Sequence, residues 1–400
     1  MPRSEPDPSA STPRIRSLEL LLVSLPFSAE RRVTGEESID AYNASSQAFT
    51  RMESLMVRVI DDDGRAGWGE AFGHRSNPAT WAALEEIVGP FALGRSTEPA
   101  EFRAEADYAF HAFGRTGPVH FAVSAVDTAL WDLAAQRSGM PLHRLLAAEL
   151  GAEAATAIDC YASLVHYGED PVEVAHHISR AQQAGFGAFK LHECTVEAVR
   201  AARQQAGPQA DLMTDVNCHW DEAGADQALR DLTPYDLLWL EEPIFPPDDS
   251  AALARLAETH GRVAAGENAS GTEGMILQIR SGAVRYAQPS VGKIGGVSGM
   301  LEVIAAARDA GVAVAPHCFY YGPALNASAA VVAALAGIAS STSADAYVPQ
   351  LEVPFLNWPQ TLHPLHGAGP QVTLPETPGL GFTPDQAVLE ENCLRRSRLD

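Results

Sequence analysis

The five cysteines of this 400-residue chain are widely spaced, and none forms a pair separated by two residues. Such spacing argues against a zinc site built on paired cysteines, and the odd number argues against a disulfide framework. Basic residues are scarce, with 28 Lys and Arg against 51 Asp and Glu. The resulting net charge of −23 argues against nucleic acid and anionic membranes as partners.

Long apolar segments are also missing. No run of 18 apolar residues occurs, and the polar, proline-rich N-terminus lacks the apolar core of a signal peptide. We therefore expect a cytoplasmic protein with a disordered tail over residues 1–13. A hydrophobic content of 46% leaves ample material for a buried core, and the length suggests more than one domain.

The first part of the chain has the pattern of a small mixed domain. Two apolar runs within residues 15–60 predict an antiparallel hairpin, and a polar segment over residues 28–51 joins them. A third strand is expected around Trp68, after which a helical pattern is clearest over residues 119–135. Residues 14–145 are therefore predicted to form an α+β capping domain.

From about residue 157 the pattern alternates between apolar strands and helices. Polar groups recur at intervals of 23 to 27 residues, each at the end of a short apolar run: Lys190 with His192, Asp215, Glu241, Glu267, Ser290 and His317. Each interval is the length of one strand, one helix and two loops. The prediction is an α/β fold with a (β/α)₈ TIM-type barrel over residues 146–370, followed by a segment, 371–400, that returns to the capping domain.

Three of these strand ends carry carboxylates. Asp215, Glu241 and Glu267 follow three consecutive strands, so their side chains converge on one point at the barrel mouth. A cation is needed to hold three anionic groups together, and hard oxygen ligands favour Mg²⁺ over zinc. The sequence thus predicts a magnesium site.

Two histidines flank this predicted site. Lys190 and His192 are two residues apart on the second barrel strand, which sends both side chains to the same face. His317 follows the seventh strand, so the histidines face each other across the carboxylates. This arrangement provides two acid/base groups on opposite sides of a bound substrate.

Taken together, the motifs resemble those of the enolase superfamily, in its mandelate racemase/muconate lactonizing group. The resemblance covers about residues 15 to 385 and rests on Lys-x-His, Asp-x-Asn, Glu-Glu-Pro, Gly-Glu-Asn, Gln-Pro-Ser-x-x-Lys-x-Gly-Gly and Pro-His, at residues 190–192, 215–217, 241–243, 266–268, 288–296 and 316–317. The Gly-Trp-Gly-Glu motif at residues 67–70 and the helix at 125–132 resemble the group's capping domain. The resemblance implies a homo-oligomer, from dimer to octamer, that binds a small carboxylate substrate.

The resemblance also implies a mechanism and its residues. A Mg²⁺ bound by the carboxylates at 215, 241 and 267 chelates the substrate carboxylate, a base removes the adjacent proton, and an enediolate results. Lys190 touches the carboxylate or tunes its neighbour. Glu352 is expected to donate a hydrogen bond to the substrate in its protonated form, and Asn217 belongs to the Asp-x-Asn motif.

Two departures from the group's pattern guide the choice of reaction. His192 replaces the usual second lysine, and Ser290 replaces the aspartate that usually supports the opposite histidine. A histidine needs less depression of its pKa than a lysine to act as a base at neutral pH. Without the aspartate, His317 is expected to be the acid, while Ser290 can still orient its ring.

The expected reaction is therefore Mg²⁺-dependent dehydration of a sugar acid to a 2-keto-3-deoxy acid. Two alternatives stay open: a racemase, epimerase or cycloisomerase using the same enolization, and a barrel that binds a small acid without turnover. Specificity is expected from the loop over residues 28–51 and from residues 72–75, where His74 and Arg75 can pair with a distal hydroxyl or carboxylate. The ring of Tyr321 is expected near the pocket.

Overall fold

The computed structural model describes residues 12–32, 49–342 and 347–400. The predicted tail, apart from its last residues, and most of the polar segment over residues 28–51 lie outside these ranges. Within them, the fold predicted from the sequence is confirmed: a curled parallel sheet surrounded by helices, with an α+β domain beside its mouth. No helix among the described residues combines the length and apolar character that crossing a bilayer requires.

The capping domain contains a four-stranded antiparallel sheet and a helical layer. Its strands are β1 (Ile15–Pro26), β2 (Arg51–Asp61), β3 (Ala66–Ala71) and, from the end of the chain, β13 (Cys393–Leu399), in the order β13-β1-β2-β3. The helices are α1 (Asn77–Ala83), α2 (Gly89–Ala92), α3 (Pro99–Phe110), α4 (Pro118–Ser138) and α5 (Leu142–Glu149). Helix α4, the most regular helical pattern in the sequence, packs on β3 and is buried along most of its length.

The barrel has eight parallel strands. They are β4 (Ala157–Ser163), β5 (Ala188–Leu191), β6 (Asp211–Asp215), β7 (Leu240–Glu241), β8 (Val263–Ala265), β9 (Tyr286–Ala287), β10 (Ala313–Val314) and β11 (Leu351–Pro354). Each pairs with the next along the chain from β4 to β10, and β11 returns to pair with β4. Consecutive strand ends therefore lie side by side at one mouth.

Seven helices connect these strands and cover the outside of the sheet: α6 (Pro171–Gln183), α7 (Val196–Ala206), α8 (Glu222–Leu232), α9 (Ser250–His260), α10 (Gly271–Arg280), α11 (Gly296–Ala310) and α12 (Pro323–Thr342). Four successive helices, α6 to α9, begin at a side chain that accepts a hydrogen bond from the first turn, namely Asp170, Thr195, Asp221 and Asp249. Such caps satisfy backbone N–H groups that have no partner within the helix.

The C-terminal segment pairs with strands of both domains. Strand β12 (Gln371–Thr373) pairs antiparallel with β4, and α13 (Gln386–Asn392) leads into β13. Strand β13 then pairs antiparallel with β1, with Leu18 opposite Leu399. The last residues of the chain therefore complete the sheet that the first residues begin.

Candidate active site at the barrel mouth

The structure brings the polar residues at the strand ends together at one mouth. Lys190 lies in β5, Asp215 ends β6, Glu241 ends β7, and Glu352 lies in β11. Asp215 and Glu241 are direct partners in the β6–β7 pairing. Parallel strands in register put their C-terminal side chains at the same level, which explains why residues so distant in sequence meet here.

Lys190 is the centre of a buried charge network. Its Nζ lies 2.9 Å from Oε1 of Glu352, 3.0 Å from Oε1 of Glu241 and 3.2 Å from Oδ2 of Asp215. The side chain is fully buried, which by itself would lower its pKa, but the three carboxylates raise the pKa well above the usual lysine range. Lys190 is therefore a fixed ammonium that holds three carboxylates in place.

The pKa values of the carboxyl groups around Lys190 are shifted in different directions. Burial opposes ionisation of Asp215, yet Lys190 holds the pKa of that carboxyl to about 2. Burial and the charge of Asp215 raise the pKa of Glu241 well above its usual range, although Trp239 and Gln288 both donate hydrogen bonds to it. One ammonium does not offset this concentration of negative charge.

A second cluster continues the site toward β8 and β9. Glu267, which follows β8, accepts a hydrogen bond from Asn268 and lies 3.7 Å from the ammonium of Lys293. Asn268 also donates to both oxygens of the buried Glu242. Glu242 has a φ of 46°, a left-handed conformation that is costly for a non-glycine residue and typical of functional sites.

His192 faces the carboxylates from the β5 side. Its Nδ1 bonds to the carbonyl oxygen of Leu164, and its Nε2 lies 3.5 Å from Oδ2 of Asp215. A carbonyl oxygen only accepts hydrogen bonds, so Nδ1 carries a proton. In the neutral ring the basic lone pair is consequently on Nε2, the nitrogen that faces the site.

His317 faces the site from the β10 side, but its partner differs from the one expected. Its Nδ1 lies 2.8 Å from Oε2 of Glu267 and 3.4 Å from Oε2 of Glu352. The hydroxyl of Ser290 instead lies 2.5 Å from that of Tyr320. The expectation that Ser290 orients His317 is therefore wrong in this structure, because Tyr320 takes up the serine hydroxyl and carboxylates approach the ring.

Glu352 also differs from the expectation. It accepts hydrogen bonds from the Ser163 hydroxyl at 2.8 Å and the Cys318 amide at 2.7 Å, in addition to its contact with Lys190. Burial opposes ionisation, but Lys190 and His317 lower the pKa of Glu352 to about 2. All of these contacts have Glu352 as the acceptor, so they favour its ionised form over the protonated donor form predicted above.

A cavity of about 620 Å³ opens above these groups, between the barrel and the capping domain. Several predicted residues line it: His74, Arg75, His192, Asp215, Asn217, Glu267, His317 and Glu352. Asn217 donates to Asp215 through both its backbone N–H, at 2.9 Å, and its side chain, at 3.0 Å. Such a volume is typical of a small-molecule site.

Tyr321 does not line this cavity. Its ring is buried, and its hydroxyl donates to the backbone oxygens of Val23 and Met52 in the capping sheet. The expectation that its ring lies near the pocket is wrong, because the ring is buried against the capping sheet, whereas Phe319 lines the cavity.

Sequence reasoning missed a cluster behind His192. His166, three residues beyond β4, lies 2.7 Å through Nδ1 from the backbone oxygen of His192 and 3.0 Å from Oε2 of Glu193. Among the described residues, His166, Glu169 and Glu193 offer ligand atoms that all lie within 4.8 Å of one another. Backbone amides also donate to both glutamates, which fits a network that supports the loop of His192.

The carboxylates at 215, 241 and 267 form a donor set suited to a hard divalent cation. The set is buried and anionic, and the two ammonium groups beside it, Lys190 and Lys293, do not balance its charge. Its oxygens are more widely spread than those of the cluster at His166. Lys190 lies between the first two carboxylates, and His317 lies against the third.

Known proteins resemble this chain in sequence and in architecture. The chain is 30% identical over 279 residues to the 3,6-anhydro-alpha-L-galactonate cycloisomerase of Streptomyces coelicolor, which covers 68% of this chain and 76% of the relative. It is 28% identical over 379 residues to the D-gluconate dehydratase of Thermoproteus tenax, and this match covers 89% of this chain and 73% of the relative. A solved structure of L-talarate/galactarate dehydratase from Salmonella typhimurium, liganded with Mg and L-lyxarohydroxamate, superposes on this chain with a TM-score of 0.79 and 22% sequence identity. The superposition covers 100% of this chain and 97% of the other.

Family models match both domains. The model described as "Mandelate racemase / muconate lactonizing enzyme, N-terminal domain" matches residues 34–147, and the one described as "Enolase C-terminal domain-like" matches residues 173–388. These matches include most of the capping domain and the strands from β5 to β11 that carry the site. The chain therefore belongs to the mandelate racemase/muconate lactonizing enzyme family of the enolase superfamily.

Proposed function

We propose that this protein is a Mg²⁺-dependent enzyme that removes the proton α to a carboxylate, and that it dehydrates a sugar acid to a 2-keto-3-deoxy acid. The observation that carries the proposal is that Asp215, Glu267 and two facing histidines line one cavity, while Lys190 joins Glu241 to Asp215 beside it. The named relatives include dehydratases of sugar acids and cycloisomerases, so this chemistry is established within the family.

Asp215, Glu241 and Glu267 are the proposed Mg²⁺ ligands. Bound Mg²⁺ supplies a Lewis acid that stabilises negative charge on the substrate carboxylate. Asn217 and Lys190 fix the orientation of Asp215, and Asn268 fixes that of Glu267. Lys190 lies in β5, and the two asparagines lie in the turns directly after β6 and β8, so these supporting contacts come from the barrel itself.

His192 is the proposed base. Its Nδ1–H donates to the carbonyl of Leu164, which leaves Nε2 free to accept the α-proton inside the cavity. The same hydrogen bond fixes the ring, so Nε2 does not have to be reoriented for the reaction. The carboxylate of Asp215, 3.5 Å from Nε2, stabilises the imidazolium that forms.

His317 is the proposed acid for the departing hydroxyl. Its Nδ1 lies beside the carboxylates of Glu267 and Glu352, and the ring is proposed to give a proton to the leaving group. The two histidines therefore differ at Nδ1: a backbone carbonyl oxygen lies against this atom in His192, and the carboxylates of Glu267 and Glu352 lie against it in His317. Such asymmetry suits elimination, whereas racemisation needs two groups of equal competence.

The test is proton NMR in D₂O with Mg²⁺ and a panel of sugar acids. A His192→Asn variant should lose α-proton exchange and product formation together, by at least about a hundredfold. His317→Asn should still exchange the α-proton but form little 2-keto product. Circular dichroism and Mg²⁺ binding of both variants check that the site remains folded.

The outcomes separate the possible reactions. Full exchange by His192→Asn would refute its role as base. A product that is only a stereoisomer of the substrate, with each histidine variant exchanging one isomer, would instead identify a racemase or epimerase. The failure of every acid to bind or exchange in the presence of Mg²⁺ would contradict the enzymatic proposal as a whole.

A further inference from the structure

The cavity is lined by groups of both charges. The barrel contributes Asp215, Glu267 and Glu352, which form or adjoin the proposed metal site. The capping domain contributes three arginines, Arg31, Arg51 and Arg75, of which Arg31 donates to the backbone oxygen of His166. A ligand in the cavity therefore meets both a site for a metal-bound carboxylate and guanidinium groups from the other domain.

Arg75 lies on the turn that follows β3. It is exposed at the cavity, and within the described part of the chain no acidic side chain pairs with it. The neighbouring ring of His74 packs against Phe49, Phe72 and Phe319 with centroid distances of 5.0 to 6.5 Å, which fixes the turn. The position of Arg75 at the cavity therefore depends on a packed turn rather than on a free loop.

Arg51, at the start of β2, is anchored differently. Its Nε donates to the hydroxyl of Ser24 at 3.1 Å, and its Nη2 donates to the backbone oxygen of Ser24. Both partners are neutral, so these contacts orient the guanidinium without neutralising it. Glu53 of the capping domain also lines the cavity, and it accepts a hydrogen bond from Asn77 at 3.0 Å.

The positive charge of these arginines differs in sign from the net charge of the whole chain. The chain carries a net charge of −23, so an anionic substrate approaches a repulsive field. Guanidinium groups form paired hydrogen bonds with carboxylate and phosphate groups. The arginines that line the cavity are suited to an anion that the rest of the surface repels.

We propose that the substrate carries a second anionic group, a carboxylate or a phosphate, at the end remote from the reacting carbon, where Arg51 and Arg75 bind it. This inference rests on the proposed function and narrows its substrate class. It separates sugar diacids and phosphorylated acids from sugar acids with a single carboxylate.

The test compares acids matched in stereochemistry. Galactarate is compared with galactonate and glucarate with gluconate, and 6-phosphogluconate distinguishes phosphate from carboxylate. Turnover is followed by α-proton exchange in D₂O with Mg²⁺, and binding is measured by calorimetry on the His192→Asn variant. The doubly anionic acids are expected to bind, and to react by kcat/KM, at least about tenfold better than their matched monoacids.

Variants locate the effect. Arg75→Gln and Arg51→Gln should each reduce the ratio of doubly to singly anionic acid by about tenfold, mainly through KM. Arg200→Gln is the matched control, because Arg200 is exposed on α7 and does not line the cavity. Its ratio should equal that of the unaltered protein.

The outcomes separate the inference from the function on which it rests. Monoacids bound as tightly as diacids, or arginine variants that affect both acids equally, would overturn the inference while α-proton exchange preserved the proposed function. Tight binding of diacids without exchange would preserve the inference and refute the proposed function. Preference for the phosphorylated acid would assign the second anion as phosphate.

Discussion

At the scale of single residues, the distribution of lysine is informative. The sequence contains two lysines, Lys190 and Lys293, and both lie at the candidate active site, while the other 26 of the 28 Lys and Arg residues are arginines. Lys190 is enclosed by three carboxylates, so its removal leaves buried negative charges without a partner. Uncompensated buried charge is among the most destabilising changes in proteins.

The first residue-scale prediction is that Lys190→Met lowers the free energy of unfolding by roughly 3–5 kcal/mol in protein kept in EDTA. Urea denaturation at neutral pH measures this change. Lys293→Met is the comparison, since its ammonium lies 3.7 Å from a single carboxylate of this set and should cost less. Equal stability of Lys190→Met and the unaltered protein would contradict the network described here.

The second residue-scale prediction concerns the metal. Mg²⁺ at about 100 times its Kd should stabilise the protein by about 2.7 kcal/mol, because a ligand that binds only the folded state shifts the equilibrium toward it. Asp215→Asn and Glu267→Gln should each remove most of this gain, as followed by thermal or urea unfolding. Glu169→Gln should retain it, because Glu169 belongs to the separate cluster with His166.

The opposite pattern, with the gain lost in Glu169→Gln and retained in Glu267→Gln, would place the ion in the cluster behind His192. The two groups of carboxylates are thereby distinguished without reference to activity. This distinction matters because the cluster at His166 has the more closely spaced ligand atoms.

At the scale of elements, the contact between β3 and α4 holds the capping domain together. A side chain at Gly69 would meet the backbone oxygen of Ala125 at 1.9 Å, and one at Gly67 would meet that of Ala129 at 2.1 Å. The Gly-Trp-Gly sequence thus allows a helix to lie directly on a strand. Backbone against backbone leaves no flexible group that can move aside.

We therefore predict that Gly69→Ala destabilises the protein by about 1–3 kcal/mol or more, as overpacked sites do. Gly187→Ala is the matched control, because a methyl group at Gly187 would meet no described atom within 4 Å and the φ of this residue is not in the left-handed region. The control should change stability by less than about 0.5 kcal/mol. Similar losses in both variants would mean that close packing at β3 is not the cause.

At the scale of the whole molecule, Glu70 joins the capping domain to the barrel. It lies at the end of the same Gly-Trp-Gly-Glu motif, is buried, and accepts hydrogen bonds from the Ser54 hydroxyl and the Ala324 amide. Ala324 is in the first turn of α12, directly after the segment that carries His317. Burial raises the pKa of Glu70 to about 7, although these hydrogen bonds oppose the rise.

This raised pKa predicts a pH dependence. The folded protein holds the Glu70 proton more tightly than the unfolded chain, whose carboxyl titrates near 4.5. The protonated Glu70 therefore contributes roughly 3 kcal/mol to the free energy of unfolding. This contribution is complete below about pH 4.5 and is lost as the pH rises toward 7. Glu70→Gln cannot ionise and should lack this loss.

Urea denaturation between pH 5 and 8 tests the point through the difference between Glu70→Gln and the unaltered protein. The free energy of unfolding of Glu70→Gln minus that of the unaltered protein should increase with pH and level off above about pH 7. Asp127, whose pKa burial also raises to about 7, titrates in both proteins and cancels. A difference that does not vary with pH would show that Glu70 is not held in the protonated form.

The long elements of the capping domain follow the sequence pattern. The helical pattern over residues 119–135 lies within α4, which spans Pro118–Ser138, and the strand expected around Trp68 is β3, Ala66–Ala71. The barrel strands are less well defined by the sequence, because short apolar runs do not fix their own limits and three of these strands are only two residues long. The domain boundaries and the roles of the site residues stay predictions.

The sequence by itself determined the family, the barrel and the line of polar residues at its mouth, because strand ends repeat at a fixed interval and parallel strands bring those ends together. It could not decide which side chain each residue contacts. Tyr320 pairs with Ser290, Tyr321 points into the domain interface, and His166 supports the loop of His192. The arginines of the capping domain also meet the barrel carboxylates across one cavity. These contacts join residues distant in sequence through the packing of two domains, and no local pattern encodes that geometry.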